Sequence, residues 1–398
     1  MRIAMLTNNY KPYVGGVPIS IEHLAAALRE LGHTVYVFAP SYPNQEEEPY
    51  VIRYPSFPMK IAGAPVPNVL TGLLRKLIKM LRIDVLHVHH PALVGNVADI
   101  LRRQLGIPVV FTYHTRYEEY LYYVKPLKAL ERCTGVIDRY LRWYCGRCDM
   151  ILAPTPEIKE HLLYEKDVTV PIEILPTGLP AESFVSDRKE AARIREQYCG
   201  GTDYLFCTTA RLAKEKNLDF LFDSLQKIKT TMEIHKKKFR YLIIGEGLEK
   251  KHLEEKCRGL GLEQEVVFVG AVANGQMKNY LAASDLFLFS SKSETQGIVV
   301  LEAMAAGTPV VAVTATGVRD IVRSGENGIL TPENCDSFAQ AVEQALCSPS
   351  GYERLCRGAE KTASAYTEEK IAAMAERYYF AVQNNCQSRE IRAILKPN

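Results

Sequence analysis

Residues 286–313 have the sequence LFLFSSKSETQGIVVLEAMAAGTPVVAV, which contains two apolar runs separated by a polar loop and a helical pattern. Two short apolar runs, Leu286–Phe289 and Val310–Val313, predict buried strands. The segment between them starts as a glycine-bearing loop and continues as a helix. A strand, a helix and a second strand in that order form a βαβ unit, in which the two strands are parallel. This stretch therefore predicts a parallel sheet covered by helices.

The same alternation of short apolar runs and helical spacing extends along almost the whole chain, and it starts afresh after Glu190–Cys199. Two such series predict an α/β protein with two doubly wound parallel-sheet, Rossmann-like domains. We expect an N-terminal domain at residues 1–178, a second domain at 179–375, and a C-terminal helix and tail at 376–398 that packs back on the first. Ligands bind at the carboxyl ends of such strands, so we expect the site in the cleft between the domains.

Composition excludes several classes of protein. The chain has 398 residues, of which 47% are hydrophobic and 24% charged, as in an ordinary globular protein and unlike a disordered or fibrous one. Its ten cysteines lack a disulfide framework spacing, and the pair Cys145-Gly-Arg-Cys148 has no second pair, so we expect reduced thiols and no metal site. Neither a signal peptide nor a spanning segment is predicted. We expect a cytoplasmic protein that meets a membrane only at its surface.

Positive charge is concentrated in one part of the chain. Residues 53–147 hold 15 Lys and Arg against 6 Asp and Glu, a balance of +9, whereas the whole chain carries only +3. Such a region attracts anionic partners, which include nucleic acid, a phosphorylated substrate and an anionic lipid surface. No nucleic-acid-binding motif accompanies the charge, so we expect no nucleic acid partner.

Two loops after predicted strands suggest phosphate binding. Gly15-Gly16 follows the first strand and precedes a helix, where backbone N–H groups can approach an anion, although a plain turn explains it equally well. The segment TTARLAKEKN at 208–217 follows the first strand of the second domain. Its Arg211 and Lys216 could clamp a diphosphate, the alternative being two solvated surface charges.

The strongest motif is SETQGIVVLE at residues 293–302. Glu294 lies in the loop and Glu302 in the helix, where we expect it to face the same side two turns on. Gln296 and Gly297 place backbone N–H groups at the helix start, ready for an anion. A carboxylate in such a loop can bind sugar hydroxyls, and a second one can take a ribose diol.

A further candidate is His114 in the strand-end sequence FTYHT at 111–115. A single histidine at a strand end is more often structural than functional. Its place at the expected mouth of the cleft favours a functional role.

Together these motifs resemble the retaining glycosyltransferases of family four, whose fold is called GT-B. The resemblance covers essentially the whole chain and keeps the order of the motifs. Within that family, the segments TYHTRYEEY at 112–120, LPTG at 175–178 and SETQG at 293–297 are most similar to bacterial 1,2-diacylglycerol 3-α-glucosyltransferases. Many relatives have Asn-Gly where this chain has Thr177-Gly178, so we assign that turn no ligand role.

The resemblance implies a role for each motif. The catalytic set is His114, Glu294, Arg211 and Lys216, with His114 near the C6 hydroxyl of the donor sugar and the two cations neutralising the leaving diphosphate without a metal or other cofactor. Glu302 binds the nucleotide ribose and Glu294 the transferred hexose. The donor-binding residues implied by the resemblance are Gly15, Gly16, Arg211, Lys216, Gly245, Gly247, Glu294, Gln296, Gly297, Ile298, Val299 and Glu302.

The basic region also contains a candidate membrane helix. In LLRKLIKMLR at 73–82, five apolar residues share one face and the cations lie mostly around the other, which is typical of an interfacial helix. The alternative is an ordinary amphipathic helix packed on its sheet. Tyrosines and a tryptophan follow at 116–147 among further basic residues, a combination suited to lipid headgroups. The residues predicted to meet the membrane or the acceptor are Arg75, Lys76, Lys79, Arg82, Tyr117 and Trp143.

These observations predict a transferase that moves glucose from UDP-glucose to diacylglycerol with retention, as a peripheral protein at the inner face of the plasma membrane. One alternative is the same donor chemistry on a soluble acceptor such as a sugar phosphate or small glycoside. Others are a sugar-nucleotide epimerase and a non-catalytic sugar-nucleotide sensor.

Overall fold

A computed structural model describes residues 1–13, 15–43, 45–61, 64–69, 71–116 and 135–394. The chain divides into two compact units. Unit 1 comprises Met1–Gly178 together with the chain from Glu368 onward, and unit 2 comprises Leu179–Thr367. The helix that begins at Glu368 is continuous and belongs to unit 1, so unit 2 ends at Thr367 and not at residue 375 as the sequence pattern predicts.

Unit 1 is built on a seven-stranded parallel sheet with the strand order β3-β2-β1-β6-β7-β8-β9. Its central strands are buried along almost their whole length because helices cover both faces. An antiparallel hairpin, β4-β5, is inserted between the third and fourth strands of the sheet along the chain. The strands are β1 (Arg2–Leu6), β2 (Thr34–Pro40), β3 (Val51–Tyr54), β4 (Ser56–Ile61), β5 (Ala64–Pro67), β6 (Val85–Val88), β7 (Val109–Thr112), β8 (Met150–Ala153) and β9 (Ile172–Ile174).

Helices cover the two faces of this sheet. One face packs against α1 and the C-terminal helix, whose Ile21 and Tyr379 lie in the same buried cluster as Ile3 of β1. The opposite face packs against α2, α3 and α4 around Ala4 and Leu86. The helices of unit 1 are α1 (Gly16–Glu30), α2 (Thr71–Met80), α3 (Val94–Leu105), α4 (Val136–Cys145), α5 (Pro156–Glu160), a π-helical turn (His161–Glu165) and the C-terminal helix (Glu368–Ile394).

Unit 2 repeats the plan with a six-stranded parallel sheet of order β12-β11-β10-β13-β14-β15. Its strands are β10 (Tyr204–Thr209), β11 (Phe239–Ile244), β12 (Val266–Gly270), β13 (Leu286–Phe289), β14 (Val310–Val313) and β15 (Gly328–Thr331). Its helices are α6 (Arg188–Cys199), α7 (Leu218–Ile234), α8 (Lys250–Gly259), α9 (Asn274–Ala283), α10 (Ile298–Ala305), α11 (Cys335–Leu346) and α12 (Pro349–Ala363), with 3₁₀ turns at Ala181–Phe184, Lys214–Lys216 and Ser364–Tyr366.

The two predicted doubly wound parallel sheets are confirmed. In unit 2 the strand order reverses between β10 and β13, and in unit 1 it reverses between β1 and β6. Such reversals open a crevice at the carboxyl ends of the strands, where ligands bind. In the described part of the chain, no helix is both long and apolar enough to cross a membrane.

Candidate functional site

In unit 2 the predicted donor-binding residues come from both sides of the strand-order reversal. The loop after β10 carries Arg211 and Lys216, and the loop after β13 carries Glu294. Strands β10 and β13 are hydrogen-bonded neighbours, with Phe206 opposite Leu286. Two segments some eighty residues apart in the sequence are therefore joined at one edge of the sheet.

Lys216 and Glu294 form a direct ion pair. The Lys216 Nζ lies 2.5 Å from Glu294 Oε1, and each side chain is 18% exposed. Burial alone would raise the pKa of Glu294, but the ammonium of Lys216 outweighs that effect and holds the pKa below its usual value. Glu294 is thus an ionised acceptor of hydrogen bonds, suited to sugar hydroxyls.

Hydroxyl groups tie these two loops together. Ser290 Oγ donates to the backbone oxygens of Lys216 at 2.8 Å and Asn217 at 3.0 Å, and Ser291 Oγ donates to that of Glu215 at 3.3 Å. The 3₁₀ turn Lys214–Lys216 is therefore fixed to the end of β13. The backbone of the loop that carries Arg211 and Lys216 and the backbone of the loop that carries Glu294 therefore hold each other in position.

Arg211 is oriented by an acid on its own loop. Its Nη2 lies 2.6 Å from Glu215 Oε1, and the carboxylate side chain is only 4% exposed whereas Arg211 is 48% exposed. The buried carboxylate anchors one edge of the guanidinium, while the rest of the group reaches solvent. An exposed guanidinium held at one edge suits an incoming diphosphate.

Gly245 and Gly247 bring a second loop against the Arg211 segment. The N–H of Ala210 donates to the oxygen of Ile244 at 3.0 Å, and the N–H of Leu212 donates to that of Glu246 at 3.0 Å. A Cβ at Gly245 would overlap the backbone oxygen of Ala210, and one at Gly247 would overlap that of Leu212. These glycines allow the close approach that holds Arg211, and their expected contact with a nucleotide base stays a prediction.

The start of α10 follows a left-handed turn at Gly297, where φ is +73°. Gln296 before it is buried, and Ile298 and Val299 form the first, partly buried turn of the helix. As expected, Glu294 lies in the loop and Glu302 in the helix. Because α10 begins only at Ile298, Glu302 lies little more than one turn into the helix, so the two carboxylates are not separated by two helical turns as expected.

Glu302 differs electrostatically from Glu294. Burial raises the pKa of Glu302 to about 7. Among the described residues, none forms a hydrogen bond or ion pair with its carboxylate. A desolvated carboxylate without a partner among the described residues suits two hydroxyl donors of a ligand, as in a ribose diol.

In unit 1 the predicted phosphate loop ends at α1. Gly15 is the N-cap residue, with an extended φ of 177°, and Gly16 opens the helix. A Cβ at Gly15 would meet the Tyr13 ring at 3.2 Å, so space and not backbone strain favours glycine there. The phosphate role of Gly15 and Gly16 stays a prediction.

His114 lies just beyond the end of β7 and belongs to a cluster that the sequence analysis missed. Its Nε2 is 2.8 Å from Nδ1 of His89, and the two rings stack with centroids 5.1 Å apart. The His87 ring also contacts His89, with centroids 4.2 Å apart and the ring planes tilted by 39°. The sequence signal was available, since VLHVHHP at 85–91 places three histidines at the end of an apolar strand.

The predicted membrane helix uses its apolar face for the core. Leu74 and Ile78 are buried in the cluster between α2 and the sheet, and Leu77 and Leu81 pack against it. Of the two alternatives that the sequence left open for this face, the structure shows a helix packed on its sheet. Leu73 alone of the five predicted apolar residues is exposed.

The outer face of α2 nonetheless combines charge with exposed apolar residues. Leu73 is 45% and Met80 68% exposed, and they lie at helical spacing beside Lys76. Trp143 of α4 is 45% exposed, with the Arg147 guanidinium 4.3 Å above its ring. Tyr117 lies outside the described residues. The exposed cations of the predicted set are Arg75, Lys76, Lys79 and Arg82.

Two further features concern the cysteine thiols and the side chains that could bind a metal ion. Cys145 and Cys148 are free and buried, and burial raises the pKa of Cys145 to about 12. Over the described ranges, no three His, Cys, Asp or Glu side chains are grouped so that they could hold a metal ion.

Comparison with known families decides the classification. Residues 14–183 match the family described as Glycosyltransferase Family 4, and residues 191–362 match the family described as Glycosyl transferases group 1. The chain belongs to glycosyltransferase family four. It is a hexosyltransferase, and each of its two units carries one of the two family regions.

Curated relatives refine this classification. The chain is 28% identical over 396 residues to the alpha-monoglucosyldiacylglycerol synthase of Acholeplasma laidlawii, covering 95% of this chain and 96% of that protein. The synthase of the same name from Streptococcus pneumoniae is 28% identical, with 88% of this chain and 79% of that protein covered. A GDP-mannose-dependent phosphatidylinositol dimannoside mannosyltransferase of Mycobacterium tuberculosis is 24% identical, with 97% and 98% covered.

Solved structures agree on the fold. Sucrose-phosphate synthase from Thermosynechococcus elongatus matches with a TM-score of 0.79 at 21% identity, covering 96% of this chain and 98% of the other. HepE of Anabaena, solved in complex with UDP-glucose, matches with a TM-score of 0.74 at 19% identity, covering 96% and 100%. The two doubly wound units are those of the GT-B fold, as the sequence predicted.

Proposed function

We propose that this hexosyltransferase moves glucose from UDP-glucose to the 3-hydroxyl of 1,2-diacylglycerol and retains the anomeric configuration. The observation that carries the proposal is the group of charged residues in unit 2. Arg211 and Lys216 lie on the loop after β10, and Lys216 forms an ion pair with Glu294 on the loop after β13. The names of the Acholeplasma and Streptococcus relatives support the acceptor. HepE, solved with UDP-glucose, supports a UDP-sugar as donor.

The transfer step follows from the charges of this set. The bond between the anomeric carbon and the diphosphate oxygen breaks, and the acceptor oxygen bonds to that carbon on the same face. The proton of the acceptor hydroxyl passes to the leaving phosphate oxygen. Arg211 and Lys216 neutralise the growing charge on the diphosphate, a preorganised electrostatic role that accounts for the largest share of many enzymes' rate enhancement.

The remaining residues bind and orient the donor. Glu294 accepts hydrogen bonds from hexose hydroxyls through the carboxylate that Lys216 keeps ionised. Glu302 takes the ribose diol, and the backbone of Gln296–Val299 lies beside the hexose. His114 contacts the hexose near its C6 hydroxyl. Orientation of this kind supplies a large part of the barrier reduction when no protein nucleophile takes part.

The acceptor is lipid-borne, so the enzyme works as a peripheral protein at the inner face of the plasma membrane. The outer face of α2 supports this, with exposed Leu73 and Met80 among four exposed cations. Exposed Trp143 adds an aromatic residue of the kind enriched at headgroup boundaries. Anionic lipid attracts such a surface by about 1 kcal/mol for each basic residue.

The test is UDP release from UDP-glucose, measured with and without diacylglycerol in phosphatidylglycerol vesicles. Lipid-dependent release supports the proposal. Release with a sugar phosphate or small glycoside and no dependence on lipid would favour a soluble acceptor instead. Conversion of UDP-glucose to an isomer without acceptor would indicate an epimerase, and tight binding without turnover would indicate a sensor. GDP-mannose run in parallel decides the donor, because the Mycobacterium relative depends on it.

A further inference from the structure

We propose that His89 is a positioning residue that holds His114 in the tautomer with its proton on Nδ1. His114 then offers an N–H donor at Nδ1, while its Nε2 accepts a hydrogen bond from His89. Only the contact between His114 and the hexose rests on the proposed function. The tautomer itself depends on side chains of unit 1 alone.

The contact between the two rings is direct. His89 Nδ1 and His114 Nε2 lie 2.8 Å apart, and the ring planes differ by 22°. At this distance one nitrogen donates a proton to the other. His89 is 1% exposed, so water does not compete for the bond.

Both rings are neutral. Burial, and then the neighbouring histidines, lower the pKa of His89 and of His114 well below the usual value. A neutral imidazole has one N–H and one bare nitrogen. Only two arrangements of the pair are therefore possible, and each fixes the tautomer of both residues.

The other nitrogen of His89 decides between them. Nε2 of His89 is buried and has no hydrogen-bond partner among the side chains and backbone that the structure describes. If His114 donated, the His89 proton would have to sit on this Nε2 and leave a buried N–H unpaired, which is rare in native structures. If His89 donates from Nδ1, its Nε2 needs no acceptor. The second arrangement puts the His114 proton on Nδ1.

His87 keeps the His89 ring in place. Its Nε2 lies 2.7 Å from Thr112 Oγ1, and its Nδ1 lies 2.8 Å from the hydroxyl of Tyr379 on the C-terminal helix. The His87 ring, held at both nitrogens, packs against the His89 ring with centroids 4.2 Å apart and the planes tilted by 39°. Because the His87 ring is fixed, it holds the His89 ring in the orientation in which Nδ1 faces His114.

This arrangement limits the chemistry of His114. With Nε2 occupied by the bond from His89 and Nδ1 protonated, the residue has no bare nitrogen with which to remove a proton from the acceptor hydroxyl. It donates a hydrogen bond to an oxygen of the hexose. His114 therefore stabilises and orients, and the proton goes to the leaving phosphate.

The first test measures the tautomer without any substrate. Protein labelled with ¹⁵N-histidine is examined by long-range ¹H–¹⁵N correlation at neutral pH, and the His114 signals are assigned by their loss in His114→Asn. We expect protonated Nδ1 and bare Nε2 at His114, with protonated Nδ1 at His89. A proton on Nε2 of His114 overturns the proposal.

The second test separates positioning from packing. In His89→Asn the side-chain amide can still donate near the position of Nδ1, whereas His89→Leu cannot. We expect His89→Leu to lower kcat by about tenfold or more with little change in the KM for donor, and His89→Asn to restore most of it. Equal losses in the two variants, at unchanged thermal unfolding midpoints, overturn the proposal. If the tautomer is as stated but UDP-glucose is not consumed, the proposed function fails and the tautomer stands.

Discussion

Lys216 and Glu294, which lie on different loops of unit 2, form an ion pair of 2.5 Å at the edge where the strand order reverses. Under the proposed function, the pair places one cation for the diphosphate beside one carboxylate for the hexose. Each charge compensates the other while the donor is absent. The effect of the ion pair on the free energy of unfolding can therefore be measured without donor, separately from the role of each residue in turnover.

Removing either member should abolish turnover for different reasons. Lys216→Met removes charge from the leaving diphosphate, and Glu294→Gln removes the acceptor of hexose hydroxyls, so we expect kcat to fall about 100-fold or more in each. Lys216→Met also leaves a mostly buried carboxylate without its cation and should lower the free energy of unfolding by about 1–3 kcal/mol. The double variant should regain stability but not activity. Urea unfolding and UDP release on the four proteins measure both quantities, and full activity in either single variant contradicts the assignment.

Glu302 should make donor binding and stability depend on pH in opposite directions. Its carboxylate binds the ribose when ionised, so the KM for UDP-glucose should fall as pH rises through about 7. Because the folded-state pKa lies above the unfolded value of about 4.3, stability without donor should be lost over the interval between these values as pH rises.

Glu302→Gln serves as the comparison for both measurements. The glutamine cannot ionise, so this part of each pH dependence should disappear, and at pH 8 the variant should be more stable without donor by about 1–2 kcal/mol. Denaturant unfolding and donor KM across pH check the two effects. A variant with the same pH profile as the parent protein would show that Glu302 is not the titrating group.

Gly247→Ala should weaken donor use through Arg211. The added Cβ would overlap the backbone oxygen of Leu212, and Gly247 has no left-handed φ, so only the close approach is tested. We expect a displaced Arg211 and a KM for donor raised about tenfold. Gly259→Ala is the matched control, since that glycine ends α8 with open space around its Cα. If the two variants behave alike, the packing of the glycine loop does not position Arg211.

Charge reversal on α2 should release the protein from anionic vesicles. Lys76→Glu with Lys79→Glu replaces two exposed cations, and we expect phosphatidylglycerol-vesicle affinity to fall about tenfold or more, with turnover on detergent-dispersed diacylglycerol retained. Lys236→Glu with Lys238→Glu makes the same charge change on exposed residues of unit 2 and should leave binding nearly unchanged. Sedimentation with vesicles distinguishes the two pairs, and equal losses would show that only net charge matters.

The sequence predicted the central strands of both sheets, because strands buried on two faces are apolar throughout. β13 and β14 begin and end at the predicted residues, Leu286–Phe289 and Val310–Val313. The edge strands β3 and β15 were missed, since an edge strand needs less apolar surface and both segments are short. Each of these two edge strands contains a residue that is unusual in a buried apolar strand, Arg53 in β3 and Gly328 in β15.

The site residues were found more readily than their partners. Arg211, Lys216, Glu294 and His114 follow strands, and strand ends can be located from apolar runs. The pairing of Lys216 with Glu294 depends on β10 lying beside β13, an adjacency that periodicity does not contain. The contact between His89 and His114 likewise depends on the register of β6 against β7, in which Val88 pairs with Phe111.

The outcome for α2 shows a limit of amphipathic patterns. The apolar stripe of 73–82 has the spacing of an interfacial helix, but the same stripe suits a helix that covers a sheet, and Leu74 and Ile78 are used in that way. Which apolar residues remain exposed depends on the angle of the helix on the sheet. That angle follows from tertiary packing and could not be derived from the sequence alone.

The product formed from UDP-[¹³C]glucose and diacylglycerol in phosphatidylglycerol vesicles shows directly whether the enzyme makes an α-glucosyl lipid. Extracted lipid is examined by mass spectrometry, and the anomeric carbon by NMR. We expect a ¹³C-labelled monohexosyl-diacylglycerol with the α configuration, absent in Lys216→Met. Labelled free sugar without labelled lipid, or a β-linked product, would contradict the account.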